Sequence, residues 1–375
     1  MPIYFLIGYH FLFFFKFYRN PYQLCTSELA STFFPHWIWV GRQLRKGIFP
    51  AQDDIYYNLP GSIPFLSTFY PPSLIMAWLA TFLKIDSAFR LYAYFILSHY
   101  LLASLFAYYL FGNLFCAITL IYSAYIIKPN TPCFVFSMTW IPLALKGGYL
   151  GGTAWGLSLF GGYYPILVYI MPLILLLQPL SFLLGLSMTT PQLLPFLGYF
   201  KRSVRNGEKI DRNFGRLPWW KLKDLFIPTA NRGTTNDVHY AEVMIYMGIV
   251  ILFVWHWSWW WCGLVTAFFV TVGLIPAIQR IPARSLYLVT FALTYISSMC
   301  LQDMNRSLLM SFSIFQAFLL LRNSSIYPSF PFSQWWNKPS RLYSRKPKAY
   351  GWPFNTGYLL ERRISNYEGA FRLAN

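Results

Sequence analysis

The sequence predicts an all-α integral membrane protein, a polytopic bundle of about ten to twelve helices, some of them short or broken. Three observations predict it. The 375 residues are 56% hydrophobic and only 11% charged, where soluble domains carry about 25% charged residues. The mean hydropathy is +0.42. Apolar segments close to the length of a membrane span recur along the chain, and Gly and Pro interrupt them. Together these argue against every soluble class.

The apolar segment 3–17 lacks a basic start and a small-residue cleavage site, so it is expected to stay on the chain as the first span. A polar loop, 19–69, follows. Within it Phe33, Phe34, Trp37, Val40 and Leu44 recur at helical spacing and predict an amphipathic helix over 28–44. Arg42, Arg45 and Lys46 then put cations at the negative end of the helix dipole, ahead of Gly47 as the cap. That pattern predicts a helix lying in the membrane interface. Further helices are expected over 70–84, 88–111, 113–128, 133–146, 149–161, 163–178, 180–199, 242–257, 259–278, 285–301 and 306–321. Breaks are expected at Lys146-Gly147-Gly148, Gly161-Gly162-Tyr163-Tyr164-Pro165 and Gln178-Pro179. The bundle thus covers 1–321, with a middle polar loop over 200–241 and a basic, aromatic tail over 322–375.

The net charge is +18. It reads as the basic bias of loops facing the cytoplasm, or as a surface for anionic lipid headgroups or phosphates. No basic soluble module is present, so nucleic acid is not an expected partner. The chain holds 36 Phe, 28 Tyr and 15 Trp, and the aromatic run 255–261 reads as an interfacial belt between spans. Five Cys and five His show no metal-ligand spacing, so no zinc site is expected. His10 and His99 fall within apolar segments and read as buried hydrogen-bonding residues. Only twelve residues are acidic. Three of them, Glu28, Asp53 and Asp54, share the first loop, which makes that loop the first place to look for chemistry.

Several features recur in a recognisable order. Glu28 precedes an apolar helix, which ends in Arg45-Lys46-Gly47-Ile48-Phe49-Pro50. Gly61 to Pro64 and Tyr70-Pro71-Pro72 follow. Then come Trp140-Ile141-Pro142-Leu143, the Gly161 to Pro165 break, Pro191-Gln192-Leu193-Leu194-Pro195 with Ser203-Val204-Arg205, Glu242 to Gly248, and Arg280-Ile281-Pro282-Ala283-Arg284. The tail adds Phe354-Asn355-Thr356-Gly357-Tyr358 and Asn366-Tyr367-Glu368-Gly369. This ordered set resembles the YfhO-like bacterial membrane proteins of the GT-C glycosyltransferase superfamily, over most of the chain. Glu28 stands where that family has Asp, and the Gly161 to Pro165 break lacks the His and Gln of that family's Gly-His-Pro-Gln type break.

The resemblance implies a GT-C-like bundle in the bacterial cytoplasmic (inner) membrane, with the first loop, the middle loop and the tail outside. It implies transfer of a sugar, with inversion, from a polyprenyl-phosphate donor to an envelope glycan, polymer or lipid acceptor. Glu28 would be the general base, within about 2.6–3.2 Å of the acceptor hydroxyl proton or one water away. Its alternative role is a helix N-terminal carboxylate suited to the dipole. Asp53 and Asp54 are candidates for an alternative base or for holding Mg²⁺ or Mn²⁺, or they form a solvated turn. Arg205, Arg284, Arg202 and Arg280 are candidates for the donor phosphate, because Arg forks match phosphate oxygens. The alternative is contact with bulk anionic lipid. His239 and Glu242 are candidates for the acceptor side. Charge alone would put the middle loop in the cytoplasm, against the resemblance. Two other functions stay open: a non-catalytic scaffold of envelope assembly derived from such an enzyme, and a lipid or sugar transporter. The transporter reading is the weaker, because no related halves are visible.

Overall fold

The computed structural model describes residues 2–24, 29, 33–50, 52–53, 59–60, 67–123, 131–202, 246–253 and 286–323. Within them the chain is helical. Its α-helices are α1 (Pro2–Phe13), α2 (Phe15–Arg19), α3 (Phe34–Arg45), α4 (Pro71–Ala80), α5 (Ile85–Phe111), α6 (Leu114–Tyr122), α7 (Pro132–Lys146), α8 (Gly148–Gly161), α9 (Tyr164–Leu177), α10 (Pro179–Arg202), α11 (Leu286–Cys300) and α12 (Arg306–Asn323). Two 3₁₀ turns, Pro21–Leu24 and Gly248–Phe253, join them. A two-residue antiparallel ladder, β1 (Gln52–Asp53) with β2 (Leu59–Pro60), sits in the first loop.

The expected all-α character holds, and so do the three breaks. Gly147 at φ +86° ends α7, Gly162 at φ +85° ends α8, and Gln178 separates α9 from α10. Two expectations are corrected. The first apolar segment is not one helix. It breaks at Phe14, whose ring is wholly buried against Tyr100 and Tyr122. Of the segment expected as a helix over 242–257, the described residues have no regular structure at Tyr246 and Met247 and then form a 3₁₀ turn, Gly248–Phe253.

Gln316 of α12 explains how that irregular backbone is held inside the bundle. Its Oε1 accepts from the Ile249 N–H at 2.9 Å, and its Nε2 donates to the Met247 carbonyl at 2.7 Å and to Thr119 Oγ1 at 2.9 Å. One buried amide thus satisfies two backbone groups that a helix would have paired internally.

The core is one continuous cluster. α5 packs on α7, α7 on α8 and α8 on α10, while α6 joins α5 to α11 and α12. α8 and α10 lie parallel, with α9 as the return segment between them. Ser181 Oγ donates to the Gly148 carbonyl at 3.0 Å, and one turn further on Gly185 meets Gly152 and Gly156. Gly148, Gly152 and Gly156 on one helix thus face Ser181, Gly185 and Thr189 on the other, each set at every fourth residue. Small residues at that spacing let two backbones approach closely.

Among the described residues, Ile85–Phe111 and Pro179–Gly198 are long and apolar enough to cross a membrane, by length and composition. Pro2–Phe13, Pro71–Ala80, Pro132–Lys146, Tyr164–Leu177 and Leu286–Cys300 are shorter apolar helices.

Candidate functional site

The first loop is tied to the bundle through α3. This helix runs parallel to α4 in a constant register. Trp37 Nε1 donates to the Ser73 carbonyl at 3.2 Å, and Arg45 Nη1 donates to the Thr81 carbonyl at 3.3 Å, the partners being 36 residues apart in both cases. Between those contacts lies Gly41, where a Cβ would run into the Ala77 carbonyl. Only glycine allows α3 to lie this close to α4. The expected helix is therefore present over Phe34–Arg45, but its first two turns are enclosed by protein rather than amphipathic in their surroundings. Residues 34–41 are buried on every face, and exposure begins with the last turn. Two layers of large aromatics, with Phe34 against Phe89 and Trp37 stacked on Tyr92, enclose its first two turns. The expected cap is present. Gly47 takes φ +73° while its N–H bonds the Leu44 carbonyl, and the Ile48 N–H bonds the Gln43 carbonyl.

At the N-terminal end of α3 several separated segments meet in a polar junction. His36 Nε2 lies 2.9 Å from Thr68 Oγ1. The neighbouring Ser67, at φ +53°, donates from Oγ to the Gly161 carbonyl at 2.6 Å. Positive φ is strained for serine, and this hydrogen bond helps hold it there. Gly161 opens the break between α8 and α9. That break is held from its other side by Ser137 of α7, whose Oγ accepts from the Tyr163 N–H at 2.9 Å and whose carbonyl accepts from Ser158 Oγ at 2.7 Å. Beyond the break, the Tyr164 ring meets Phe196 of α10.

Deeper in the bundle, Tyr70 links three helices. Its hydroxyl accepts from Trp140 Nε1 at 2.8 Å and lies 2.8 Å from His99 Nε2. His99 Nδ1 sits 2.7 Å from the Phe95 carbonyl, which can only accept. In the neutral ring the proton is therefore on Nδ1, and Tyr70 donates to Nε2. Tyr70→Phe would leave the Trp140 donor and the His99 acceptor unmatched. The expected loss is about 2 kcal/mol, read from the denaturation midpoint of the purified protein. Unchanged stability would show that this chain of bonds carries no weight. His10 is satisfied in the same manner, with Tyr122 Oη 3.1 Å from Nδ1 and Tyr18 Oη 2.7 Å from Nε2. Both histidines are thus buried hydrogen-bonding residues, as expected.

Burial holds the His36 imidazole down, from 6.5 to about 3. The ring is neutral at pH 7, and its unfolded counterpart takes up a proton first as pH falls. Its contribution to stability is therefore complete above about pH 6.5 and is lost progressively as pH drops toward 3. His36→Asn should flatten the pH dependence of stability by about 2 kcal/mol between pH 7 and 5. Melting curves of both proteins across that interval check it. Equal slopes would contradict it.

A second feature occupies the other end of α3. Arg42, Arg45 and Lys46 share one helix face and open onto a cavity of about 430 Å³, walled by Ile38, Ala80, Thr81, Leu83, Ile85 and Ala88. The guanidinium of Arg45 also lies over the Phe82 ring, 4.9 Å from its centroid.

The structure brings few of the candidate residues into view. Asp53 lies in β1, opposite Leu59 in β2, and β2 runs against α10. Arg202 is the last residue of α10. Glu28, Asp54, Arg205, Arg280, Arg284, His239 and Glu242 lie outside the described residues. So do most of the middle loop and nearly all of the tail. Two features escaped the sequence reading, the Tyr70–His99–Trp140 chain and the cationic cavity. For the cavity a signal existed, since Arg42, Arg45 and Lys46 at i, i+3 and i+4 must share a face. Searches of protein-family models, curated proteins and solved structures found no match to this chain.

Proposed function

We propose that this chain is a multi-pass protein of the bacterial inner membrane that transfers a sugar from a polyprenyl-phosphate donor to an envelope glycan, polymer or lipid acceptor, with inversion. One observation carries the reading. Motifs far apart in sequence, which carried the resemblance to GT-C enzymes, meet in space. The Tyr70-Pro71-Pro72 segment bonds Trp140 of Trp-x-Pro-Leu, the adjoining Ser67 bonds Gly161 of the break, and Tyr164 of the break meets Phe196 beyond Gln192-Leu193-Leu194-Pro195. The bilayer is supported by the outer surface. Leu176 and Leu180 are 77% and 80% exposed, and Leu183, Leu194, Ile314 and Phe318 are also exposed. A soluble protein rarely leaves so much large apolar surface to water.

In this mechanism Glu28 removes the acceptor hydroxyl proton, and the oxygen attacks the anomeric carbon from the face opposite the phosphate. The bond from anomeric carbon to phosphate oxygen breaks, and polyprenyl phosphate leaves with the electron pair. Arg205 and Arg284, with Arg202 and Arg280, offset the charge growing on the phosphate. His239 and Glu242 position the acceptor. Asp53 and Asp54 are the alternative base, or the carboxylates for Mg²⁺ or Mn²⁺.

A scaffold derived from such an enzyme is the second reading, and one observation favours it. At the break, where the family has His and Gln, the polar contacts described here are structural ones made by Ser67, Ser137 and Ser158.

The experiment is the envelope glycan profile, by mass spectrometry, of a strain lacking the protein and the same strain with it restored. A sugar that disappears and returns supports transfer, and its mass names the sugar class. An unchanged profile would overturn it. Movement of lipid or sugar without a new glycosidic bond would identify a transporter.

A further inference from the structure

We propose that the end of the bundle carrying the first loop faces the cytoplasm, and that the acceptor is a lipid-linked one met from the cytoplasmic leaflet. The orientation rests on the bilayer reading alone. The acceptor class rests also on the proposed sugar transfer.

α5 serves as the ruler, with Ile85 at one end and Phe111 at the other. Phe14 meets Tyr100, Tyr18 stacks on Tyr94 and Tyr22 on Phe89, so the chain leaving α1 moves toward the start of α5. α3 and α4 end beside that start, where Arg45 bonds the Thr81 carbonyl. α7 runs with α5, since Phe136 meets Phe95, Trp140 meets Phe106 and Lys146 lies over Tyr109. α8 returns, bringing Ser158 to Ser137. α10 starts beside Gly148 and runs parallel to α8, so Arg202 ends it on the side of the α5 start. α6 begins at the far end of α5, and α12 runs alongside it in the same direction. Phe253 bridges Phe115 and Phe312, and Gln316 reaches Thr119.

This layout separates the cations. Lys16, Arg19, Arg45, Lys84, Arg90 and Arg202 stand toward the α5 start, the first-loop end. Arg42, Lys46 and Arg322 stand there too. Among the described residues, Lys146 and Arg306 stand at the opposite end. In sequence, Arg205, Lys209 and Arg212 follow Arg202. Orientation follows the number of Lys and Arg near span ends, and carboxylates change it little, so the pairing of any one cation does not matter. A membrane potential negative inside opposes carrying these charges outward, and the anionic cytoplasmic leaflet attracts them.

The resemblance implies the reverse side, and the difference decides the acceptor. Asp53 lies in the first loop, and Arg202 ends α10 at the same end of the bundle. An external polymer or finished envelope glycan is out of reach from the cytoplasm. A lipid-linked acceptor is presented there by the leaflet itself.

The test labels Ile48→Cys and Tyr149→Cys, exposed positions at the two ends, with a membrane-impermeant maleimide in spheroplasts. Wild type gives the background of the native cysteines. Tyr149→Cys should label in intact spheroplasts, and Ile48→Cys only after permeabilisation. Phe49→Cys and Leu150→Cys, also exposed, replace either variant that does not fold. Equal labelling of the two positions before and after permeabilisation, or the reverse order, would overturn the orientation. The acceptor is read with a radiolabelled short-chain polyprenyl-phosphate sugar added to membrane vesicles. Inverted vesicles should label their own lipid, and right-side-out vesicles should not. Equal labelling by both, or labelling by right-side-out vesicles alone, would overturn the acceptor class. Labelling by neither would remove the glycosyl-transfer reading and the acceptor class with it, while the maleimide pattern would still decide the orientation.

Discussion

Gly185→Val is expected to destabilise the fold by about 3 kcal/mol or more. A Cβ at Gly185 would lie 2.6 Å from Trp155 Cδ1, 2.7 Å from the Gly156 nitrogen and 2.8 Å from the Gly152 carbonyl oxygen. Two of those atoms are backbone and cannot rotate away, and the Trp155 ring is wholly buried. α8 and α10 would have to separate along the whole stripe from Gly148–Ser181 to Gly156–Thr189. In the bilayer setting we propose, no hydrophobic force restores them, because lipid tails are as apolar as the helices. A denaturant or thermal titration of the purified variant checks this. Gly198→Val is the control, since among the described residues nothing lies within 4 Å of a Cβ there. Equal stability of the two variants would mean that α8 and α10 do not approach as described.

Legibility in the sequence followed the physical origin of each feature. Helices and their breaks depend on apolar runs, Gly and Pro, all of which are local. Gly147, Gly162 and Gln178 therefore end their helices where expected. The cap at Gly47 was equally local. The environment of α3 was not. Its periodicity described an amphipathic helix, but the residues opposite the apolar stripe, such as His36 and Gly41, are buried as well. His36 is covered because Thr68 returns to bond it, and Gly41 because α4 lies against it. Neither contact can be read from residues 28–44 alone. The glycine stripe on α8 was visible as spacing, but its counterpart on α10 becomes meaningful only once the parallel packing is known. The break at Phe14 has no Gly or Pro to announce it. Of the candidate site, the motifs that meet at the polar junction were legible. The Tyr70–His99–Trp140 bonds were not, because they join residues brought together only by the packing of three helices.

The other large effect concerns chemistry. In the proposed mechanism Glu28→Gln should lower the transfer rate by about 10²–10⁴, the contribution of a positioned general base. Gln keeps the size and hydrogen-bonding reach of Glu but cannot accept the acceptor proton. His36 cannot replace the lost base, since burial holds it near 3 and a base that weak is ineffective at pH 7. A matching loss in Asp54→Asn or Asp53→Asn, with Glu28→Gln active, would move the base to the ladder region of the first loop. A loss in all three would fit a base together with a carboxylate pair that holds Mg²⁺ or Mn²⁺.

The most direct measurement is made on purified protein reconstituted in liposomes with radiolabelled polyprenyl-phosphate sugars and an envelope lipid extract as acceptor. Wild type should release polyprenyl phosphate and label the acceptor with inverted anomeric configuration, while Glu28→Gln at equal abundance should do so at least about a hundredfold more slowly. Equal release by both proteins, or label crossing the bilayer with no new glycosidic bond, would contradict the account.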